Sequence, residues 1–231
     1  MRSPKDESQG TMKPWVAIFD WDGVIVDSSA HHERSWDLLA AEERRILPEG
    51  HFHRGFGMKN EEIIPNLLGW TRDAAEVRRL SLRKEEIFRG LVHTSGIAPL
   101  PGIAEWLRRL DAAGIPRIIA SSTHRANIET ILAVLGLGGF AGIVAADDVH
   151  RGKPDPEVFL LAARRLGADP ARSVVFEDAP AGIEAGLAAG MRVVGVTTTH
   201  PADRLTRAHR TVARLDELTP DEVGRIVRRE A

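Results

Sequence analysis

Short apolar runs alternating with helical patterns constrain this chain more than any other feature of it. The runs are Trp15–Phe19, Pro116–Ala120, Gly142–Ala146, Ser173–Phe176 and Arg192–Thr197, with Thr211–Ala213 as a weaker sixth. Between them lie amphipathic stretches at Gly102–Ala113, Arg125–Leu135, Pro156–Leu166 and Ala181–Ala189. Several of these end at a glycine able to take the left-handed cap: Gly114, Gly136, Gly167 and Gly190. Short buried strands separated by helices predict an α/β fold with a parallel sheet covered on both faces.

The segment from Ser29 to Pro99 breaks the rhythm. It offers no strand, only three helical stretches, Ala30–Arg45, Asn60–Leu68 and Arg72–Leu91. Leu38, Leu39, Ile63, Ile64, Leu67, Leu68, Leu80 and Ile87 can supply their apolar stripes. Pro99 and Pro101 mark the return to the sheet. The expected organisation is a polar leader over residues 1–13, a Rossmann-like three-layer α/β core formed by 14–29 and 98–231, and an inserted all-helical cap over 30–97.

Composition narrows the function classes. Cysteine is absent, which excludes disulfides, thiolate catalysis and thiolate metal sites. The 31 basic and 33 acidic residues nearly cancel, tyrosine is missing and aromatics total 5%, so the basic, aromatic-laced surface of a nucleic-acid binder is not there. No apolar stretch approaches the roughly 18 residues that span a bilayer, and the first residues lack the apolar centre of a signal peptide. The expectation is a soluble, cytoplasmic protein acting on a small molecule, as a monomer or small homo-oligomer.

Chemistry gathers at the ends of the runs. The first ends in Asp20-Trp21-Asp22-Gly23, the second in Ser121-Ser122-Thr123, and the fourth in Glu177-Asp178, while Lys153-Pro154 follows the third. Taken singly, each has a structural explanation: a turn, a helix N-cap, a solvated loop, acids at a helix start. Those explanations do not say why all four follow successive strands. In an open parallel sheet the carboxyl ends of the strands share one edge, and ligands bind outside it. Carboxylates brought together there repel unless a cation sits among them, and a hard oxygen set suits Mg2+. With Mg2+, Lys153 and a Ser121 hydroxyl around a phosphate ester, one carboxylate can attack phosphorus while another protonates the leaving oxygen.

The segments FDWDGVIVDS (Phe19–Ser28), IIASS (Ile118–Ser122), GKPDPEVF (Gly152–Phe159) and VFEDAPAGIEAGLAAGM (Val175–Met191) resemble the four motifs of the haloacid dehalogenase superfamily. More narrowly they resemble its branch of β-phosphoglucomutases, phosphoglycolate phosphatases and related sugar-phosphate phosphatases, which carries a helical cap between the first and second motifs. The resemblance runs from Trp15 to about Leu218. It implies that Asp20 is the nucleophile and a magnesium ligand, and that Asp22 is the general acid/base and offers its backbone carbonyl to the metal. It implies that Ser121, with Ser122 beside it, and Lys153 hold the phosphoryl oxygens. Asp178 completes the protein ligands of Mg2+, with Glu177 ligating or orienting water. Dehalogenases of the superfamily lack the second acid of the first motif, so Asp22 points to phosphate esters.

Phosphatase and mutase share the aspartyl-phosphate and differ in what attacks it next. His32 and Trp36 match the HxxxW spacing of β-phosphoglucomutases, although residues four apart on a helix can also simply pack together. Asn60 stands where the mutase cap has an arginine for the distal phosphate, Lys59 is only a point charge beside it, and Ser28 replaces a hinge threonine. The balance favours a phosphatase of a small phosphorylated metabolite, with specificity contributed by the cap around residues 55–60. A phosphomutase is the alternative. His51 and His53 are assigned no metal, since further ligands are lacking. A receiver-type phospho-switch would place its lysine last, whereas Lys153 precedes Glu177-Asp178. A phosphate-binding-loop kinase would need a glycine-rich run, and a non-catalytic interaction module would not need the acidic set.

Overall fold

A computed structural model of the chain describes residues 15–55 and 58–228; the leader expected over residues 1–13 lies outside the described residues. Strand β1 (Val16–Phe19) leads into four helices, α1 (Ser29–Glu42), α2 (His51–Gly55), α3 (Asn60–Glu62) and α4 (Ala74–Ser95). Then follow α5 (Ile103–Ala112), β2 (Arg117–Ala120), α6 (Arg125–Leu135), β3 (Ile143–Val144), α7 (Glu157–Leu166) and β4 (Ser173–Glu177). The chain closes with α8 (Pro180–Ala188), β5 (Arg192–Val196), β6 (Arg210–Val212) and α9 (Pro220–Arg228). The six strands form one sheet in the order β3-β2-β1-β4-β5-β6, every neighbouring pair parallel.

The continuous apolar character of the strands has the expected cause. All four residues of β1 are buried, and successive ones serve opposite faces. Ala17 and Phe19 join Ile119, Phe176, Val194 and Trp106 on one side, with Phe19 stacked on Phe176 at 4.8 Å between ring centroids. Ile18 joins Ile118, Val175, Val193, Phe159 and Ile183 on the other. On α5 the buried Ile103, Trp106, Leu107 and Leu110 form one helical stripe against the first of these layers.

Among the described residues the insert between β1 and β2 contains helices and no strand, and it has its own apolar centre, which includes Trp36, Leu39, Ile64, Trp70 and Leu80. The two crossings to the core run side by side: Val26 bridges Pro99, and the Leu100 amide donates to the Ile25 carbonyl at 2.8 Å. Three details differ from the sequence expectations. α2 lies where no helix was expected. The stretch Asn60–Leu68 is not one α-helix: Ile63–Leu67 winds as a π-turn, because Pro65 has no amide hydrogen to continue the α ladder. β3 keeps only two residues, since Asp148 turns back to accept from the Ala145 amide at 2.8 Å and draws the chain away from the sheet. Among the described residues no helix is long and apolar enough to cross a membrane.

Candidate active site

The strand order reverses direction between β1 and β4, so a crevice opens beyond their carboxyl ends. Asp20 stands at the mouth of that crevice. Its amide donates to the Phe176 carbonyl of β4 at 3.0 Å, which holds it beside Glu177 and Asp178. Carboxylate oxygens of Asp20, Glu177 and Asp178 all lie within 4.8 Å of one another, and the three residues are buried. Lys153 reaches in from the loop before α7. Its ammonium donates to Asp20 at 2.6 Å and to Glu177 at 2.7 Å, and lies 5.0 Å from the centroid of the Phe159 ring.

Three acids and one ammonium leave the cluster short of positive charge. Burial, reinforced by Glu177, pushes the Asp20 carboxyl up to about 7 in spite of Lys153. Burial and the Asp20 charge push Asp178 up to about 6, and burial also raises Glu177. Burial works against the Lys153 ammonium, but Asp20 and Glu177 outweigh it and raise its pKa above the ordinary lysine value. Such a set fits a divalent cation with oxygen preference: Asp20, Glu177 and Asp178 are the residues that could hold one.

Asp22 sits two residues on but in different company. One carboxylate oxygen accepts from the Ser28 hydroxyl and the other from the Thr123 hydroxyl. Burial raises its pKa, and the two hydroxyls oppose that rise. Ser121 is buried and its oxygen accepts the Thr123 amide at 3.0 Å, which leaves its hydroxyl hydrogen available. Ser122 beside it is exposed. The hydroxyl cluster after β2 therefore does not cap α6 through its side chains; Thr123 serves Asp22 instead.

Two glycines make the close packing possible. Gly23 has φ +78°, and a Cβ there would fall within the Asp178 carboxylate. A Cβ on Gly182 would fall within the Glu177 carboxylate. Thr198 donates to the Gly23 carbonyl and Thr199 to Asp178, so the loop after β5 fastens this side of the site.

From the cap, His32 lies flat on Phe88 with ring centroids 4.0 Å apart. Burial and the Lys84 charge depress its pKa to about 3, so it is neutral, and its Nδ1 accepts from the Lys84 ammonium at 2.6 Å. Lys84 also donates to Glu85 at 3.0 Å. Asn60 is buried, and its amide donates to Glu85 at 2.7 Å and to Ser81 at 3.3 Å. Trp36 belongs to the cap's apolar centre and packs edge-on against Trp70. Lys59 is exposed, and residues 56 and 57 of the expected specificity segment lie outside the described residues. His51 and His53 join no group of metal-ligating side chains among the described residues.

The sequence reading missed Thr123 as a partner of Asp22, Ser28 in the same role, Thr199 at Asp178, and the buried pair Lys84 and Glu85. A signal for Lys84 was present. It stands four residues from both Leu80 and Phe88, in the apolar phase of α4, where a solvated lysine does not belong.

A parallel sheet with its strand reversal at a buried acid set, and a helical cap after the first strand, define a class of hydrolase, and the comparisons with known proteins agree. The chain belongs to the haloacid dehalogenase-like hydrolases, whose family model matches residues 16–190. It is 39% identical over 209 residues to the chloroplastic 5-amino-6-(5-phospho-D-ribitylamino)uracil phosphatase of Arabidopsis thaliana, an alignment covering 89% of this chain and 56% of that protein. The chain thus spans just over half the length of that relative. It is 34% identical over 212 residues to hexitol phosphatase A of Escherichia coli, covering 87% of this chain and 92% of the relative. The crystal structure of β-phosphoglucomutase from Clostridium difficile superposes with a TM-score of 0.79 at 26% identity, covering 94% of this chain and 98% of the other. The chain is thus a member of this hydrolase family that is related over most of its own length to named phosphatases.

Proposed function

We propose that the chain is a magnesium-dependent phosphatase of a small phosphorylated metabolite, a sugar phosphate or a compound of similar size, working through an aspartyl-phosphate on Asp20. The observation that carries this reading is the division of labour between two carboxylates at one strand end. Asp20 belongs to the acid set with Lys153, Glu177 and Asp178, while the Asp22 carboxylate is hydrogen-bonded by Ser28 and Thr123. Environments that differ in this way suit one acid as nucleophile and the other as proton carrier.

In the first half-reaction an Asp20 oxygen bonds to phosphorus as the bond to the leaving oxygen breaks, and Asp22 gives that oxygen its proton. In the second, Asp22 takes a proton from water as the water oxygen attacks phosphorus and the Asp20–phosphorus bond breaks. Lys153 and the Ser121 hydroxyl hold phosphoryl oxygens throughout. Asp20, Asp178 and Glu177 would hold Mg2+, which supplies positive charge against the phosphoryl oxygens and keeps the acids ionised.

The phosphatases among the relatives support hydrolysis over intramolecular transfer. Against the mutase stands Asn60, whose amide is committed to Glu85 and Ser81 where a mutase needs a cation for a second phosphate. The test is phosphate release from a panel of sugar phosphates, phosphoglycolate and p-nitrophenyl phosphate, with and without Mg2+, in wild type and Asp20→Asn. Magnesium-dependent release that disappears in the variant is expected. Release that survives Asp20→Asn would remove the nucleophile from the scheme, and no release from any ester would turn attention to β-glucose 1-phosphate with a bisphosphate primer.

A further inference from the structure

We propose that Glu85 is a positioning residue for this phosphoryl-transfer site: its buried carboxylate ties the cap to the core through Asn127 and keeps Lys84 turned toward His32. The proposal rests on the phosphatase reading for its kinetic consequence and on geometry alone for the tie. Glu85 is 6% exposed, and both its oxygens are engaged. Oε1 accepts from Asn60 at 2.7 Å and from Lys84 at 3.0 Å, both in the cap. Oε2 accepts from Asn127 at 2.5 Å, and Asn127 is on α6 of the core.

Asn127 is gripped at both ends. Its amide nitrogen donates to Glu85 and its oxygen accepts from Arg89 at 3.1 Å. Glu85 and Arg89 are one turn apart on α4, so a single core side chain, itself 1% exposed, is held by two successive turns of the longest cap helix. A joint of this kind fixes direction as well as contact, because donors and acceptors on both sides must be in register. The same joint borders a cleft of about 730 Å³ between α4 and the segment after β2, lined by Ser81, Glu85 and Arg89 from the cap and His124, Ala126 and Asp147 from the core. That volume is in the range of small-molecule sites.

A buried ion pair is weak evidence for a stabilising role, since well-packed apolar residues hold two elements together equally well. The arrangement here does something apolar residues would not. Lys84 lies over the rings of Trp36 and Phe88, both at 5.5 Å, and is desolvated. Burial depresses its pKa, and Glu85 is the main opposing influence, so the carboxylate favours the charged ammonium that donates to His32. The Lys84 charge is in turn felt at Asp22. The register between Glu85 and Asn127 therefore sets where the cap's only buried ammonium among the described residues stands relative to the proton carrier of the core.

The experiment compares wild type, Glu85→Gln, Asn127→Ala and the double variant in Mg2+, on the best sugar phosphate and on acetyl phosphate, which is too small to need the cap. Glu85→Gln puts an N–H where a donor already arrives; Asn127→Ala breaks the tie from the core side and leaves the Lys84–Glu85 pair in place. Each single variant is expected to lower kcat/KM on the sugar phosphate about tenfold or more, with acetyl phosphate turnover within about twofold of wild type. The double variant is expected to be no worse than the worse single, because both remove one interaction. Equal losses on both substrates, additive losses, or no loss would overturn the proposal. Small-angle scattering supplies an arm independent of turnover: both single variants are expected to be more extended than wild type, and an unchanged radius of gyration overturns the tie. Absence of wild-type turnover on every ester would sink the phosphatase reading, and the scattering would still decide the joint.

Discussion

The hydroxyl of Thr123, just past β2, donates to the carboxylate of Asp22, just past β1 on the neighbouring strand, and Ser28 donates to the other oxygen of the same group. These hydroxyls favour the ionised form against burial, which favours the neutral one. In Thr123→Val one of the influences opposing burial is gone, so the Asp22 pKa rises. The limb of the pH–rate profile that belongs to the proton carrier should move to higher pH, and kcat should fall about tenfold with KM little changed. A profile that keeps its position, measured by initial rates across pH, would show that Asp22 is not the group being titrated.

Lys153 is the cation that touches both Asp20 and Glu177. In Lys153→Met these buried acids lose it, and their pKa values, already raised by burial, rise further. The variant should lose about 3 kcal/mol or more of stability without added metal. The sign of its pH dependence follows: acids protonated in the folded state cost nothing, so the loss should be smaller in acid and larger at neutral pH. Denaturant midpoints at two pH values check it.

Gly182 presses its backbone against the Glu177 carboxylate, and Gly182→Ala puts a methyl into that space. Helix propensity alone would make this substitution favourable by about 1 kcal/mol, since Gly182 is inside α8. The clash should outweigh propensity, giving a lower Tm and a loss of phosphate release. A variant more stable than wild type and fully active would mean that Glu177 can move without consequence.

The response to Mg2+ should itself depend on pH. Asp20 and Asp178 release their protons near about 7 and about 6 when folded, against 3.8 for the ordinary group. Between those values the unfolded chain binds fewer protons than the folded one, so the stability of the cation-free protein falls as pH rises from about 4 to about 7. A cation binding the ionised acids relieves that cost. Added Mg2+ should therefore raise Tm more above pH 7 than near pH 5, and Asp178→Asn should shrink the difference. An equal shift at both pH values would argue against these acids as the metal's ligands.

The positions of Asp20, Ser121, Lys153, Glu177 and Asp178 were legible because each follows a short apolar run, and the carboxyl ends of parallel strands share an edge. Their order along the chain points to one sheet edge, and the structure brings Asp20, Lys153, Glu177 and Asp178 into contact there. Thr123 was not legible as a partner of Asp22. Beside Ser121 and Ser122 it looks like a helix cap, and only the pairing of β1 with β2 turns its hydroxyl toward a residue 101 positions away. The cap's helices were visible in the periodicity, but the π-turn at Ile63–Leu67 and the additional α2 were not, since they follow from how Pro65 and a short loop segment settle against neighbours.

Sequence by itself determined the layered α/β architecture, the helical insert and the acid set, because apolar periodicity and strand-end position are local properties of the chain. Tertiary structure alone decided that Glu85 is buried, which partners meet its carboxylate and the Lys84 ammonium, and that Asn60 faces Glu85 in place of open space. Burial of a charge depends on partners that arrive from elsewhere: His32 on α1 for the ammonium, Asn127 on α6 for the carboxylate. Those partners are 52 and 42 residues away, and no local pattern encodes a meeting across that distance.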